Sequence, residues 1–290
     1  MSTGADELGL FDDRHCSLGE GPLWHPGRGQ LFWFDILGRK LLSRDRTGVL
    51  EWQFDQMVSA AGWIDRDTLL IASETALWRF DLRTGGQNHI AALEAGSTTT
   101  RPNDGRADPR GGFWIGTMGK ALEPGAGAIY RFYRGEMRPL YDAITVPNAI
   151  CFSPDGSHAY FTDTPTRQIM RVRLDADGWP TDAPEIFVDL TAEGLNPDGA
   201  VIDCEGALWN AQWGAARVAR YLPDGQFDRA VRLPALHSSC PAFGGADLAT
   251  LYVTSARTDI PAPDAAQGCV FAGPVAPAGL PEHSLTARNL

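Results

Sequence analysis

Apolar residues in this chain come in short runs of four to six, and Gly, Pro, Asp and Asn separate them. Runs of that length, rich in Trp, Phe, Tyr and branched residues, predict strands, and few stretches keep the 3.6-residue period of a helix. Six of the runs resemble one another: Leu31–Asp35, Leu69–Ser73, Phe113–Thr117, Ala159–Asp163, Leu208–Gln212 and Leu251–Ser255. Their second residues are Phe32, Leu70, Trp114, Tyr160, Trp209 and Tyr252, spaced 38, 44, 46, 49 and 43 apart. A six-fold repeat of that period is the size of a four-stranded propeller blade. The expected fold is all-β, a six-bladed β-propeller around a central channel.

The flanks of the runs fit the same unit. A turn precedes most of them, as in Asp108-Pro-Arg-Gly-Gly112, Ser153-Pro-Asp-Gly156 and Asp203-Cys-Glu-Gly206. A second alternating strand follows most of them, as in Ala128–Phe132, Ile169–Arg173 and Val218–Tyr221. Period-two alternation would turn its apolar residues toward the neighbouring blade and its arginines to the outer surface. The ring has to close, and Leu8–Phe11 is expected to pair with the last blade near Gly268–Ala272. No linker divides the chain, so residues 1–290 read as one domain, with an irregular surface tail from about Pro274.

Charge removes one class of function. A net charge of −11 argues against nonspecific nucleic-acid binding, which needs a cationic surface. The five cysteines are odd in number and lack a CxxC spacing, and read as free thiols of a reducing compartment. The N-terminal residues lack the basic and apolar regions of a secretory signal, and no apolar run approaches the ~20 residues of a membrane span. The expectation is a cytoplasmic protein with no membrane or nucleic-acid partner; oligomeric state is left open.

Candidate chemistry comes from the repeat. Eleven or twelve residues before the second residue of each run lie Glu20, Ser59, Asn103, Asn148, Asp198 and Pro241. In a propeller this is the entry to the innermost strand, beside the channel, where six equivalent positions form a narrow ring. Four of the six carry a carboxylate or carboxamide. Hard oxygen donors with two negative charges suit a divalent cation: Ca²⁺, Mg²⁺ or Mn²⁺, with Zn²⁺ or Fe²⁺ also open. Asn, Asp, Pro and Gly are also ordinary turn formers; Glu20 is not, and it carries the reading furthest. Arg101, two residues before Asn103, is placed to bind a polyol or carboxylate. No nucleophile elbow, P-loop or HExxH motif occurs, and the histidines are scattered. Trp63 and Trp213 read as packing residues, and His237 as a packing or surface residue.

With these motifs the chain resembles the senescence marker protein, regucalcin and gluconolactonase family of sugar-lactone hydrolases. The likeness runs from Leu18-Gly-Glu-Gly-Pro22 to Tyr252–Arg257. Its most specific pieces are Arg101-Pro-Asn-Asp-Gly105 with Trp114-Ile-Gly-Thr-Met118, Pro147-Asn148 and Pro197-Asp-Gly199. The resemblance implies one catalytic divalent ion in the channel, held by Glu20, Asn148 and Asp198. It implies Asn103 and Arg101 beside the substrate, and Asp198 as general base, a role Asp104 would otherwise share. Several members carry an acidic pair after the Gly-Thr-Met motif; here the segment reads Gly119-Lys-Ala-Leu-Glu123, and Lys120 is the expected replacement contact. The implied activity is metal-assisted hydrolysis of an aldonolactone. The alternatives are a non-catalytic propeller that binds a protein or ligand around a structural ion, and an aryl-ester or organophosphate hydrolase, which would need a more apolar pocket.

Overall fold

A computed structural model describes residues 7–286 and 289. Within them, six antiparallel sheets of four strands form a six-bladed propeller. The innermost strands are Gly19–His25, Val58–Asp65, Thr100–Ala107, Pro147–Phe152, Asn196–Ile202 and His237–Gly244, and they define blades one to six. Burial falls outward along each blade. In blade one the second strand, Gln30–Asp35, is buried at every position, whereas the outermost strand, Gly48–Gln53, alternates exposed and half-buried residues. The six aromatic and aliphatic runs are the second strands of the blades, or lie within them, which is why they stood out: they pack on both faces and so read as near-continuous apolar stretches. Trp33, Trp114 and Trp209 are fully buried there.

The ring closes through the N-terminus. Gly9–Asp12 pairs antiparallel with Val270–Pro274 and completes the sheet that begins at His237–Gly244.

Two expectations are corrected. The arginines of the third strands do not all reach the surface. Arg131 is fully buried, its Nε donating to Asp108 Oδ2 at 2.7 Å, and its guanidinium lies 4.3 Å from the ring centroids of Tyr133 and Trp179. Arg220 in blade five repeats the arrangement with Asp203 Oδ2 at 2.7 Å. Each Asp also folds its own hairpin: Asp203 Oδ1 accepts from the amides of Glu205 and Ala207, and Asp108 Oδ1 from those of Arg110 and Gly112. A buried guanidinium is tolerated only when paired and bonded in this way.

The C-terminal segment is also not a surface tail. It runs beneath the ring, across the ends of the inner strands. Cys204 N donates to Ala278 O, Trp63 Nε1 to Glu282 O, and Leu285 N to Trp63 O. Leu285 is buried in the cluster with Ala107 and Phe113. Trp63 is therefore the anchor of this segment as well as a packing residue. Glu282 enters the lower end of the channel and meets Arg106 Nη1 at 2.5 Å.

Candidate active site in the channel

Each inner strand slips register near its start, and this slip builds the site. Between Pro102 and Gly105, Pro197 and Ala200, and Ser238 and Pro241, two residues face one partner position across the ladder. Such a bulge bends the strand and re-aims side chains, here at the channel mouth. It also corrects the sixth ring position. Pro241 is already back in the ladder; the bulge holds Ser239 and Cys240. Ser239 Oγ donates to Gly19 O at 2.5 Å, and Ser59 Oγ to Asn103 O at 2.5 Å, so the two serine positions fasten neighbouring blades.

Close approach between blades requires glycine beside both acids. Gly21 has φ +53°, and a Cβ there would collide with Ser59 O of the next blade. A Cβ on Gly199 would collide with the Cys240 side chain. The glycines serve inter-blade packing, which brings Glu20 and Asp198 within reach of each other.

Glu20, Arg101, Asn103, Asn148 and Asp198 line one cavity of about 310 Å³ at the mouth of the channel. A relay of hydrogen bonds fixes the amides. Arg101 Nη1 donates to Asn103 Oδ1 at 2.7 Å, and Asn103 Nδ2 to Asn148 Oδ1 at 2.9 Å and Pro147 O at 3.0 Å. Asn148 Nδ2 donates to Thr164 Oγ1 at 2.9 Å, and Thr164 Oγ1 to Pro197 O at 2.7 Å. Asn103 is thus occupied on both its oxygen and its nitrogen, and its effect on a ligand passes through Arg101 and Asn148.

The carboxylates lack such partners. Glu20 Oε2 accepts from Gly21 N, while Asp198 Oδ1 is buried with no hydrogen-bond partner. Burial, and then the Asp104 carboxylate, push Glu20 up to about 8. Burial, then Glu20 and Asp104, hold Asp198 well above the usual carboxylate range. Burial lowers Arg101 to about 10, against the pull of Glu20 and Asp198. Three acids so close require protons or a cation. Two carboxylates and a carboxamide oxygen fit a hard divalent ion. Among the described residues no three His, Cys, Asp or Glu side chains stand in ligating geometry, so the amide of Asn148 is needed to complete a set.

Two predicted residues lie elsewhere. Lys120 is not in the cavity wall: its Nζ meets Glu74 Oε1 at 2.6 Å and donates to Thr98 O at 3.0 Å. Asp104 lies buried outside the wall, and its Oδ2 accepts from Ile150 N at 2.7 Å. Residues the ring count did not find complete the wall: Met118 and Leu122, Val146, Thr164, Trp213 and Asp259. Leu122, Val146, Thr164 and Asp259 sit on the connections between strands, where the repeat spacing carries no signal, and Met118 and Trp213 lie at the ends of second strands. Thr164 follows Asp163 in the short 3₁₀ turn Thr164–Thr166. Trp213 stacks on His237, ring centroids 4.2 Å apart.

A model of the SMP-30/Gluconolactonase/LRE-like region matches residues 18–257. A Rhizobium meliloti (strain 1021) protein, provisionally named a sugar lactone lactonase, is 46% identical over 244 residues, 82% of each chain. The L-arabinolactonase of Azospirillum brasilense is 36% identical over 288 residues, covering 95% of this chain and 94% of its own. Among solved structures, a calcium-binding protein, regucalcin, from Agrobacterium tumefaciens superposes with a TM-score of 0.92 at 39% identity, covering 96% of this chain and 97% of that one.

Proposed function

The chain belongs to the SMP-30/gluconolactonase/LRE-like family, and on that premise we propose that it is a sugar lactone lactonase, opening an aldonolactone to its aldonic acid with the help of one divalent cation. The observation that carries the reading is the buried, partnerless Asp198 Oδ1 beside Glu20, at the floor of a cavity that also holds Arg101 and Asn148. Relatives named L-arabinolactonase and 6-deoxy-6-sulfogluconolactonase supply the substrate class.

Glu20, Asn148 and Asp198 would hold the cation. An all-oxygen set favours a hard ion of the Ca²⁺, Mg²⁺ or Mn²⁺ kind, and the regucalcin relative is described as calcium-binding. When bound, the ion supplies Lewis-acid polarisation of the lactone carbonyl. Asp198 takes the proton of the attacking water. The water oxygen bonds to the carbonyl carbon, the ring C–O bond breaks, and a proton passes to the departing ring oxygen. Arg101 keeps guanidinium nitrogens for substrate hydroxyls, because only its Nη1 is engaged by Pro102 O and Asn103 Oδ1. Asn103 and Thr164 hold Asn148 in place; Lys120 and Asp104 have no part in this reading.

The test is acid release in a pH-stat from glucono-, xylono- and galactonolactone, using chelated protein and protein restored with each divalent metal. Metal-restored protein should be fast and chelated protein slow. Equal rates with and without metal for every lactone would sink the mechanism. Stabilisation by metal without turnover of any lactone would leave a non-catalytic propeller.

A further inference from the structure

The cavity has two chemistries, and the second is unassigned. Its floor is polar. Its upper wall over blades three and four is apolar, built from Met118, Leu122, Val146 and Pro165. Leu122 is the unusual member. It is 57% exposed, yet held at φ +61°, a left-handed conformation costly for a residue with a branched side chain.

The loop that carries Leu122 is fastened at several points. Lys120 N donates to Thr99 O at 2.8 Å, Leu122 N to Gly119 O at 3.0 Å, and Gly125 N to Thr145 Oγ1 at 3.1 Å. Both charged side chains of the loop turn back onto protein. Lys120 pairs with Glu74, and Glu123 Oε2 accepts from Ala121 N at 3.0 Å. What the loop offers the cavity is an aliphatic side chain. Of the polar groups beside it, Thr164 Oγ1 both accepts and donates, and Asn196 Oδ1 accepts from Arg167 Nε. A hydroxyl placed against this wall would lose water without gaining a partner.

We infer that Leu122 and its apolar neighbours form a clamp for the exocyclic arm of the lactone, selecting arms that end in methyl or hydrogen over arms that end in a hydroxymethyl or charged group. This rests on the lactonase reading, which puts the carbonyl at the polar floor and leaves the arm to the upper wall. The preferred substrates are then deoxy-sugar lactones. An apolar pocket rejects an added hydroxyl only modestly, so the discrimination is about tenfold, within a ceiling on the order of a hundredfold.

The test uses lactone pairs that differ by one hydroxyl: L-rhamnono- against L-mannonolactone, and D-fucono- against D-galactonolactone. kcat/KM is measured for the metal-restored wild type and for Leu122→Ser and Leu122→Asn, and the matching aldonates are compared as ligands in a thermal-shift assay. The clamp predicts about a tenfold preference for the deoxy member of a pair, falling to within twofold in both variants, and larger thermal protection by the deoxy aldonate. Equal or reversed preference in the wild type overturns it, as does a deoxy preference untouched by both substitutions. If no lactone is hydrolysed, greater protection by the deoxy aldonates that Leu122→Ser abolishes upholds the clamp while the lactonase reading falls; equal protection overturns both.

Discussion

The two ends of the channel are built from the same six strands and handle charge in opposite ways. At the lower end Arg106 donates to Ile150 O and Ala200 O and meets Glu282 of the C-terminal segment, which has crossed beneath the ring to reach it. Every strong group there has a partner from this chain. At the mouth, Glu20 and Asp198 are equally buried, Asp198 Oδ1 has no partner, and the nearest cation, Arg101, gives its Nη1 to Asn103 and a backbone carbonyl. A fold able to satisfy buried charge at one end leaves it open at the other. Unsatisfied buried charge costs stability, and its place in a cleft marks a binding site.

The largest expected effect is at the open end. Asp198→Asn should lower lactone hydrolysis by about a thousandfold, since a ligand and proton acceptor go together. The same variant should melt no lower than wild type in chelator, because it removes a buried acid that has an unpartnered oxygen and stands beside two other carboxyls. Rate assays beside thermal melts check both halves; a chelated variant that melts well below wild type would erase the contrast between the ends.

At the closed end, Glu282→Ala leaves Arg106 buried without its carboxylate. The expected loss is about 3–5 kcal/mol in denaturant unfolding. Adding Arg106→Met should return most of it, and a double variant as unstable as the single one would show that the segment matters for packing alone.

A third, smaller effect comes from pH. The unfolded chain releases the Glu20 proton near its ordinary value of 4.5, whereas the folded, ion-free protein holds it to about 8. Stability of chelated protein should therefore fall as pH rises from 4.5 to 8, and Asp198 acts in the same direction. A saturating divalent ion should flatten the slope. Melting curves across that range decide it, and a chelated protein that gains stability toward pH 8 contradicts the raised acids.

The smallest effect is at Lys120. Its pairing with Glu74 is half-exposed, worth at most about 1 kcal/mol, and outside the cavity wall. Lys120→Ala should change kcat/KM by less than about threefold. A larger loss would restore Lys120 as a substrate contact.

The fold was legible because the second strands of the blades are buried on both faces, so Phe32, Trp114 and Trp209 mark each turn of the repeat. The ring acids were legible for the same reason: a fixed offset from those markers lands on the channel. The offset failed at Pro241 because the first hairpin of blade six is one ladder pair longer beyond its marker, so the equivalent position, Ser239, lies two residues further back. Alternation also could not say that Arg131 and Arg220 turn inward. Their partners, Asp108 and Asp203, sit in hairpins one strand away, and a period reports a side chain's face without its partner. Lys120 was misplaced because Glu74 comes from the neighbouring blade. The C-terminal segment carries no period, since it is held by single bridges such as Trp63 with Ser284 and Asp203 with Gly279.

The clasp between Gly9–Asp12 and Val270–Pro274 joins sequence positions some 260 residues apart in one sheet. Its consequence lies in synthesis and assembly. Blades one to five can form as the chain emerges, but the outer strand of the sixth, made first, waits without a partner until Val270–Pro274 has been made. Ring closure is thus the most nonlocal event in folding, and nonlocal pairings form slowly. The clasp does not bring the rest of the C-terminal segment with it, because that segment runs on beneath the ring to Trp63 and the blade-three hairpin.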